Sequence, residues 1–574
     1  MEISRIIIKK FRSIKKADIW ISSINAIVGQ NNSGKSCLLR ALNVFFNYEK
    51  EEEAFLSGIH SFAPRSISKI EIHFDNFDVT RTPDEYINND KVMIEISVQL
   101  SAQGCKRTIK YKSSNGWVTD NECIDEIKKQ IEFILIPPNR DARALELMEN
   151  SVLQLLVEEK MKEATVTRDN YTVKFRSAIT YLETTALNKI ATDAKAEFPV
   201  NTPFDIKIKY SKNISYKDFL SDVSISIEES GLSHPLIECG SGIQSLTIIS
   251  LYNLLGKARD ENIIIGLEEP ETNLHPQAQK ELIGYFKALV ESGSILQLFF
   301  TTHSSQMVDQ VDHTEIISFK KEPCENRGFI TVVNKLPKNF FDKYDLDDFK
   351  YYQFHRYRNS DFFFSSYVIV TESKNEVEVI KRIGDSAGFD FETNGLSYLN
   401  LEGVDKAKYT IHLLNELKIP FLIILDKDFF VAYLHDNYTE SLNNQGFPQY
   451  KNEYKDEELV KTLIPNENDR REVLSKINSN HTTVLNVLEK HNVISMRYSL
   501  DLDLVAVRAA QEKYYELLRL PPEKRNVLEL TGMRKGIKKI DRIISAFENL
   551  DTSSWPYSYS RIKKIMTKIT RELK

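Results

Sequence analysis

Ile24-Asn25-Ala26-Ile27-Val28-Gly29-Gln30-Asn31-Asn32-Ser33-Gly34-Lys35-Ser36 is the stretch that decides the front of this chain. Its opening residues are a short apolar run ending at Gly29, the pattern of a buried strand. Gly29 to Ser36 then fits G-x-x-x-x-G-K-[ST]. A helix is predicted from near Lys35, with Leu38, Leu39, Leu42 and Phe45 on one face. In that context glycines let the backbone curl its N–H groups toward phosphate oxygens, and the helix adds its positive end. Gly29, Asn31, Asn32, Ser33, Gly34 and Cys37 are therefore expected around a bound ATP. Lys35 should reach its β- and γ-phosphates, and Ser36 should hold Mg²⁺.

Two more strands complete this expectation. Ile263-Ile264-Ile265-Gly266-Leu267 runs into Glu268-Glu269, followed by Pro270-Glu271. Paired carboxylates at the end of a buried strand are unfavourable unless a cation or a reacting water uses them. Glu268 is assigned to the Mg²⁺ shell and Glu269 to positioning or activating the hydrolytic water. The strand Leu296 to Phe300 ends in Thr301-Thr302-His303-Ser304, where His303 is placed to sense a γ-phosphate. Gly240-Ser241-Gly242-Ile243-Gln244-Ser245 opens an apolar helix. Ser241 and Gly242 there offer donors to a phosphate, although a simple capping loop fits the same residues.

These pieces in this order resemble the ABC-type ATPases of the SMC kind. The resemblance implies a composite site in which the signature loop of one subunit completes the ATP site of another. Gly240 to Ser245 would stand for that signature, Glu271 to Pro276 for the D-loop, and His303 for the switch histidine. The chain departs from the pattern in lacking LSGGQ and in placing Glu268 where an aspartate is usual. It also lacks long heptad arms. Between Arg143 and Lys195, Leu145, Met148, Val152, Leu155 and Leu156 recur at helical spacing. A dimerisation insert is expected there, with a plain ATPase subdomain as the alternative.

The rear of the chain starts a fresh α/β pattern. Val368-Ile369-Val370-Thr371 ends at Glu372, and Glu376 follows near the start of a helix. Phe421-Leu422-Ile423-Ile424-Leu425 ends in Asp426-Lys427-Asp428, and Asp501-Leu502-Asp503 comes later. In a parallel sheet such strand ends share one edge, so the acids can converge. Clustered carboxylates repel one another, and hard divalent cations make the cluster favourable. Two such ions about 4 Å apart would hold a phosphodiester and activate water. Taken singly, E-x-x-x-E is usually a solvated helix face and D-x-D a common turn.

E-x-x-x-E followed by D-x-D resembles the TOPRIM domain. An ABC ATPase in front of a TOPRIM domain resembles the OLD (overcoming lysogenisation defect) nuclease family, which includes the nuclease subunit of the Gabija phage-defence system and related retron effectors. The resemblance implies an α/β chain: an SMC-like ATPase domain with a helical dimerisation insert, then a Rossmann-like TOPRIM domain. It makes Glu372, Glu376, Asp426, Asp428 and Asp503 metal ligands, with Asp501 a weaker candidate. Lys535 would stabilise the transition state, with Lys538 second. Ser373 departs from the glycine that many TOPRIM sequences carry there.

Bulk properties agree. At 574 residues the chain exceeds one core, and the expected domains are 1–142, 143–200 (insert), 201–345 and 346–574. A formal charge of −6 gives no global pull toward nucleic acid. The basic surpluses from Arg534 to Arg542 and from Arg561 to Lys574 are either DNA contacts or solvated helix faces. Five scattered cysteines suit a reducing cytoplasm, and no secretory signal or membrane span is expected. The expected activity is an ATP-regulated endonuclease that cuts DNA with Mg²⁺ (or Mn²⁺ or Ca²⁺), in a homodimer or higher oligomer. A second defence component, a helicase or a retron, is its expected partner. The rival expectation is an ATPase switch whose TOPRIM acids serve folding or docking.

Overall fold

The computed structural model describes residues 1–102, 104–137, 152–160, 162, 173–174, 177–196, 207, 223, 225–229, 231–259, 262–272, 274–325, 327–347, 360–386, 395–401 and 406–573. Leu145 and Met148 of the expected insert lie outside them. Two compact units result. One comprises Met1–Ile27, Gly34–Val311 and Lys321–Val333; the other comprises Val28–Ser33, Asp312–Lys320 and Asn334–Lys574.

The first unit carries an antiparallel wing and a parallel layer. The wing is built from β1 (Glu2–Phe11) and β2 (Ile14–Trp20), and further along the chain from β4 (Ile67–Asp75), β5 (Lys91–Ser101), β6 (Gly104–Ser113) and β7 (Gly116–Thr119). They lie in the order β7-β6-β5-β4-β1-β2. Alternating burial along β4 and β5 fits strands with one wet face.

The parallel layer has the order β3 (Ile24–Gly29), β10 (Gln297–Thr301), β9 (Asn262–Glu268), β8 (Ile131–Ile136). Burial along β3, β9 and β10 is almost continuous, as their unbroken apolar runs require. Helix α1 (Ser36–Phe46) covers this layer with Leu38, Leu39, Leu42 and Phe45 buried. Gly266 makes the close approach feasible: a Cβ there would stand 2.9 Å from the Phe133 ring and 3.3 Å from Leu39 Cδ2.

In the second unit β11 (Tyr367–Thr371), β12 (Leu396–Asn400), β13 (Phe421–Leu425) and β14 (Val493–Ser495) form a wholly parallel sheet, order β12-β11-β13-β14. Helix α2 (Lys374–Ser386) follows β11. Its Val379, Ile380 and Ile383 join Ile369, Ile424, Leu502 and Tyr559 in one buried core. The α/β expectation, with strand ends gathered on one sheet edge, holds. No described helix is long and apolar enough to cross a membrane.

Candidate nucleotide and metal sites

Two glycines shape the phosphate loop. Gly29 and Gly34 have φ of +146° and +96°. A Cβ at Gly29 would stand 2.1 Å from the Phe319 carbonyl oxygen; one at Gly34 would stand 2.5 Å from Thr331 Oγ1. Asn32, at φ 58°, is a left-handed residue of the kind asparagine tolerates. The Ser33 amide donates to the Gln30 carbonyl and closes the turn. Cys37 is placed less favourably: its amide serves the Gly34 carbonyl and its thiol lies 3.5 Å from the Ser13 hydroxyl. Ser36 opens α1.

Lys35 is buried, and burial lowers its pKa to about 8 against the opposing pull of Glu269 and Glu271. Glu268 ends β9. One of its oxygens accepts from Arg40 at 3.2 Å, and the other is buried with no hydrogen-bond partner. Arg40 also donates to Glu51, which accepts from Asn43 and faces the His60 ring. Arg40 was not among the predicted residues; its signal was that it is the lone cation of α1.

Glu269 adopts φ 46°, and its amide is shared by the Thr301 carbonyl and hydroxyl at 3.1 Å each. Its carboxylate lies 3.8 Å from His303 Nε2. Burial lowers the His303 pKa, the Lys35 charge adds to this, and Glu269 opposes it. The His303 amide donates to Glu271 at 2.6 Å. Lys35, Glu269, Glu271 and His303 thus share one electrostatic neighbourhood, and Glu268 brings a spare carboxylate oxygen that fits a hard cation. Ser241 and Gly242 open the helix Ser241–Arg259, as expected.

The second site is set by adjacent parallel strands. Thr371 of β11 pairs with Ile424 of β13, so Glu372 and Asp426 leave the same sheet edge, one and two residues past that last rung. Glu372, Asp426 and Asp428 each bring a carboxylate oxygen within 4.8 Å of the others. Each is held by a different donor. The Leu500 amide reaches Asp426 Oδ1 at 3.0 Å, the Tyr433 hydroxyl reaches Asp428 Oδ2 at 2.9 Å, and the Asp426 amide serves Glu372. Glu372 Oε2 is buried without a partner.

Burial pushes the Asp426 pKa well up, with Glu376, Asp428 and Glu372 adding repulsion. Glu372 is raised by burial and then by Asp428. An orphaned carboxylate oxygen among mutually repelling acids is the donor set a hard divalent cation satisfies. The residues fit the metal.

The remaining expected ligands are placed differently. Glu376 accepts the Glu372 and Ser373 amides on Oε2, and burial, then Glu372, raises it to about 7. Asp503, on α3 (Leu500–Val505), takes the Arg497 and Tyr498 amides and the Ser558 hydroxyl, so both its oxygens accept hydrogen bonds within the protein. It braces the turn that presents the Leu500 amide to Asp426. Asp501 has one oxygen on the Ser499 hydroxyl and the other 3.9 Å from Arg534 Nε. Lys535 is exposed on α4 (Arg534–Ile537). Lys538 and Lys455 are the cations whose charge acts on Glu372. Tyr433, Tyr438 and Arg534 surround this edge; the tyrosines were not among the predicted residues, and Arg534 was named only as the start of a basic stretch.

Comparison with known proteins identifies the two modules. A family described as "AAA ATPase domain" matches residues 1–137 and 139–308. One described as "Overcoming lysogenization defect protein-like, TOPRIM domain" matches residues 363–428, which contain Glu372, Glu376, Asp426 and Asp428. An "OLD nuclease" of Thermus scotoductus is 22% identical over 457 residues, 74% of this chain and 82% of that protein. An "Endonuclease GajA" of Bacillus cereus is 24% identical over 464 residues, 75% of each. A crystal structure of the Pyrococcus furiosus Smc head domain with an extended coiled coil, bound to the C-terminal domain of ScpA, is 17% identical with a TM-score of 0.35, covering 60% of this chain and 98% of that one. The chain belongs to the AAA ATPase domain family and carries behind that module a TOPRIM domain of the overcoming-lysogenization-defect type.

Proposed function

We propose that this protein is an ATP-regulated DNA endonuclease that uses divalent metal at its TOPRIM acids and serves defence against phage. The observation that carries the reading is the meeting of Glu372, Asp426 and Asp428 at one sheet edge. Relatives named as nucleases over about three quarters of the chain support it. When bound there, Mg²⁺ or Mn²⁺ supplies charge stabilisation and an acidified water for in-line attack on a phosphodiester. Glu372, Asp426 and Asp428 would hold it, with Asp501 behind them. Lys538 or Lys535 would face the charge that develops on the phosphate.

In the front module Lys35 and Ser36 would hold the ATP phosphates and Mg²⁺, Glu268 would complete the metal shell, and Glu269 would orient water under the eye of His303. Because the resemblance implies a composite site, we place the protein in a homodimer or higher oligomer, with 143–200 as the dimerisation insert. A helicase or retron partner and a reducing cytoplasm, consistent with five free cysteines, belong to the same reading.

The test is plasmid nicking with Mg²⁺ or Mn²⁺, wild type against Asp426→Ala. Metal-dependent nicking lost in the variant is expected. Nicking that survives the substitution removes the site assignment, and absence of nicking in wild type with every metal favours an ATPase switch without nuclease chemistry.

A further inference from the structure

Arg534 and Tyr433 are 101 positions apart in sequence and meet at the acidic edge, where Arg534 Nη1 donates to the Tyr433 hydroxyl at 2.6 Å. The same hydroxyl lies 2.9 Å from Asp428 Oδ2. A guanidinium has donors and no acceptor, so it occupies the phenol oxygen's lone pair. The phenol proton is then left for Asp428. This makes a one-way chain, guanidinium to phenol to carboxylate, in which each bond polarises the next.

The chain is rigid. The Tyr433 ring stacks on Tyr450 with centroids 5.1 Å apart and meets Tyr438 edge-on at 5.4 Å. Arg534 in turn sits 4.8 Å over the Tyr438 ring. Its position along the strand is fixed too, because Tyr433 pairs with Tyr450 in a short antiparallel ribbon.

We propose that Tyr433 and Arg534 are positioning residues for the metal: they pin Asp428 by Oδ2 so that Oδ1 alone faces the cation. The inference rests on the nuclease reading and deepens it. A freely turning aspartate would spread its two oxygens over several orientations. One tethered by a polarised phenol presents a single oxygen in a fixed direction. Hydrogen-bonding partners of this kind set metal affinity more than the chemical step.

The experiment titrates Mn²⁺ into the nucleotide-free full chain, with Asp426→Ala as the blank for binding elsewhere. Tyr433→Phe keeps the ring and its stacking and removes only the hydroxyl. It should weaken Mn²⁺ binding roughly 10- to 100-fold. The Mg²⁺ concentration for half-maximal nicking should rise in parallel, while the rate at saturating Mg²⁺ stays near that of wild type. Arg534→Lys should fall between the two, and combining it with Tyr433→Phe should cost no more than Tyr433→Phe alone, because both act through one bond. Melting in EDTA checks that the variants fold. Mn²⁺ affinity equal to wild type in Tyr433→Phe, or additive losses in the double variant, overturns the proposal. If wild type neither binds Mn²⁺ above the blank nor nicks DNA, it is the nuclease reading that fails.

Discussion

The backbone N–H of Glu372 donates to the Glu376 carboxylate across 2.6 Å, so the second acid of the E-x-x-x-E pair steadies the first. Burial and Glu372 together raise Glu376 from 4.5 to about 7. A carboxyl with a raised folded pKa binds more protons folded than unfolded. Its contribution to stability is therefore lost as pH climbs from the unfolded value through the folded one. Gln at this position keeps an oxygen for the two amides and does not titrate. In EDTA, the melting temperature of Glu376→Gln should gain on wild type by several degrees as pH rises from about 5 to about 8. A gap that does not move with pH would show that Glu376 does not carry this shift.

Asp426 is the most conflicted acid of the group, pushed up by burial and by three neighbouring carboxylates ahead of Asp501. Asp426→Asn removes the charge and retains an oxygen for the Leu500 amide. Metal-free melting should stay level or rise, because a repelled buried charge is gone. Mn²⁺ should raise the melting point of wild type and leave the variant unmoved. Nicking should fall on the order of 10²–10³-fold, the scale of losing one group that stabilises transition-state charge, here through the metal Asp426 would hold. A Mn²⁺-induced shift retained by the variant would be incompatible with Asp426 as a ligand.

Two lysines compete for the transition-state role. Both are exposed, three residues apart, but Lys538 is the one whose charge acts on Glu372. Lys538→Ala should therefore lower the nicking rate at saturating Mg²⁺ by more than Lys535→Ala does, with Lys538→Arg partly restoring it. Side-by-side rates with supercoiled plasmid decide the matter; the reverse order would return the role to Lys535.

What the sequence made legible was whatever is local. Gly29 to Ser36 carries its own turn geometry, and Glu372 and Asp426 each follow directly on a strand, so knowing the strands placed the acids. Asp503 was harder, since it belongs to a helix reached through the turn Met496 to Ser499, and a buried acid can serve an ion or cap free amides. In the structure its oxygens accept the Arg497 and Tyr498 amides. Ser373-Lys374-Asn375-Glu376 contained a readable clue, S-x-x-E, the spacing by which a glutamate caps the start of a helix. Ser373, noted only for not being glycine, donates its amide and its hydroxyl to Glu376. Tyr433 and Arg534 gave no such clue, because their meeting depends on how a hairpin and a distant short helix pack. Arg40 is intermediate: its standing as the one charged residue of α1 was visible, but its partners Glu268 and Glu51 were not.

Glu269 holds a strained backbone in the front site. At φ 46° it occupies the left-handed region, which costs a non-glycine residue roughly 1–2 kcal/mol. The conformation is fixed by its amide, which the Thr301 carbonyl and hydroxyl both accept, and it aims the carboxylate toward His303. Glu269→Gly relieves the strain, and the flexibility glycine adds to the unfolded chain returns roughly 0.5–1 kcal/mol of that gain. A net stabilisation of about 0.5–1 kcal/mol is expected. Glu269→Gln keeps the strain and loses only the negative charge. Both variants should bind ATP, since Lys35 and the loop are untouched, and both should lose turnover by about 10²-fold or more, the contribution of a positioned base. Denaturant melts, nucleotide titration and phosphate release on the two variants separate the effects. Equal stability of Glu269→Gly and Glu269→Gln would show that the backbone there holds no strain. Wild-type phosphate release by Glu269→Gln would take the water-orienting role away from this residue.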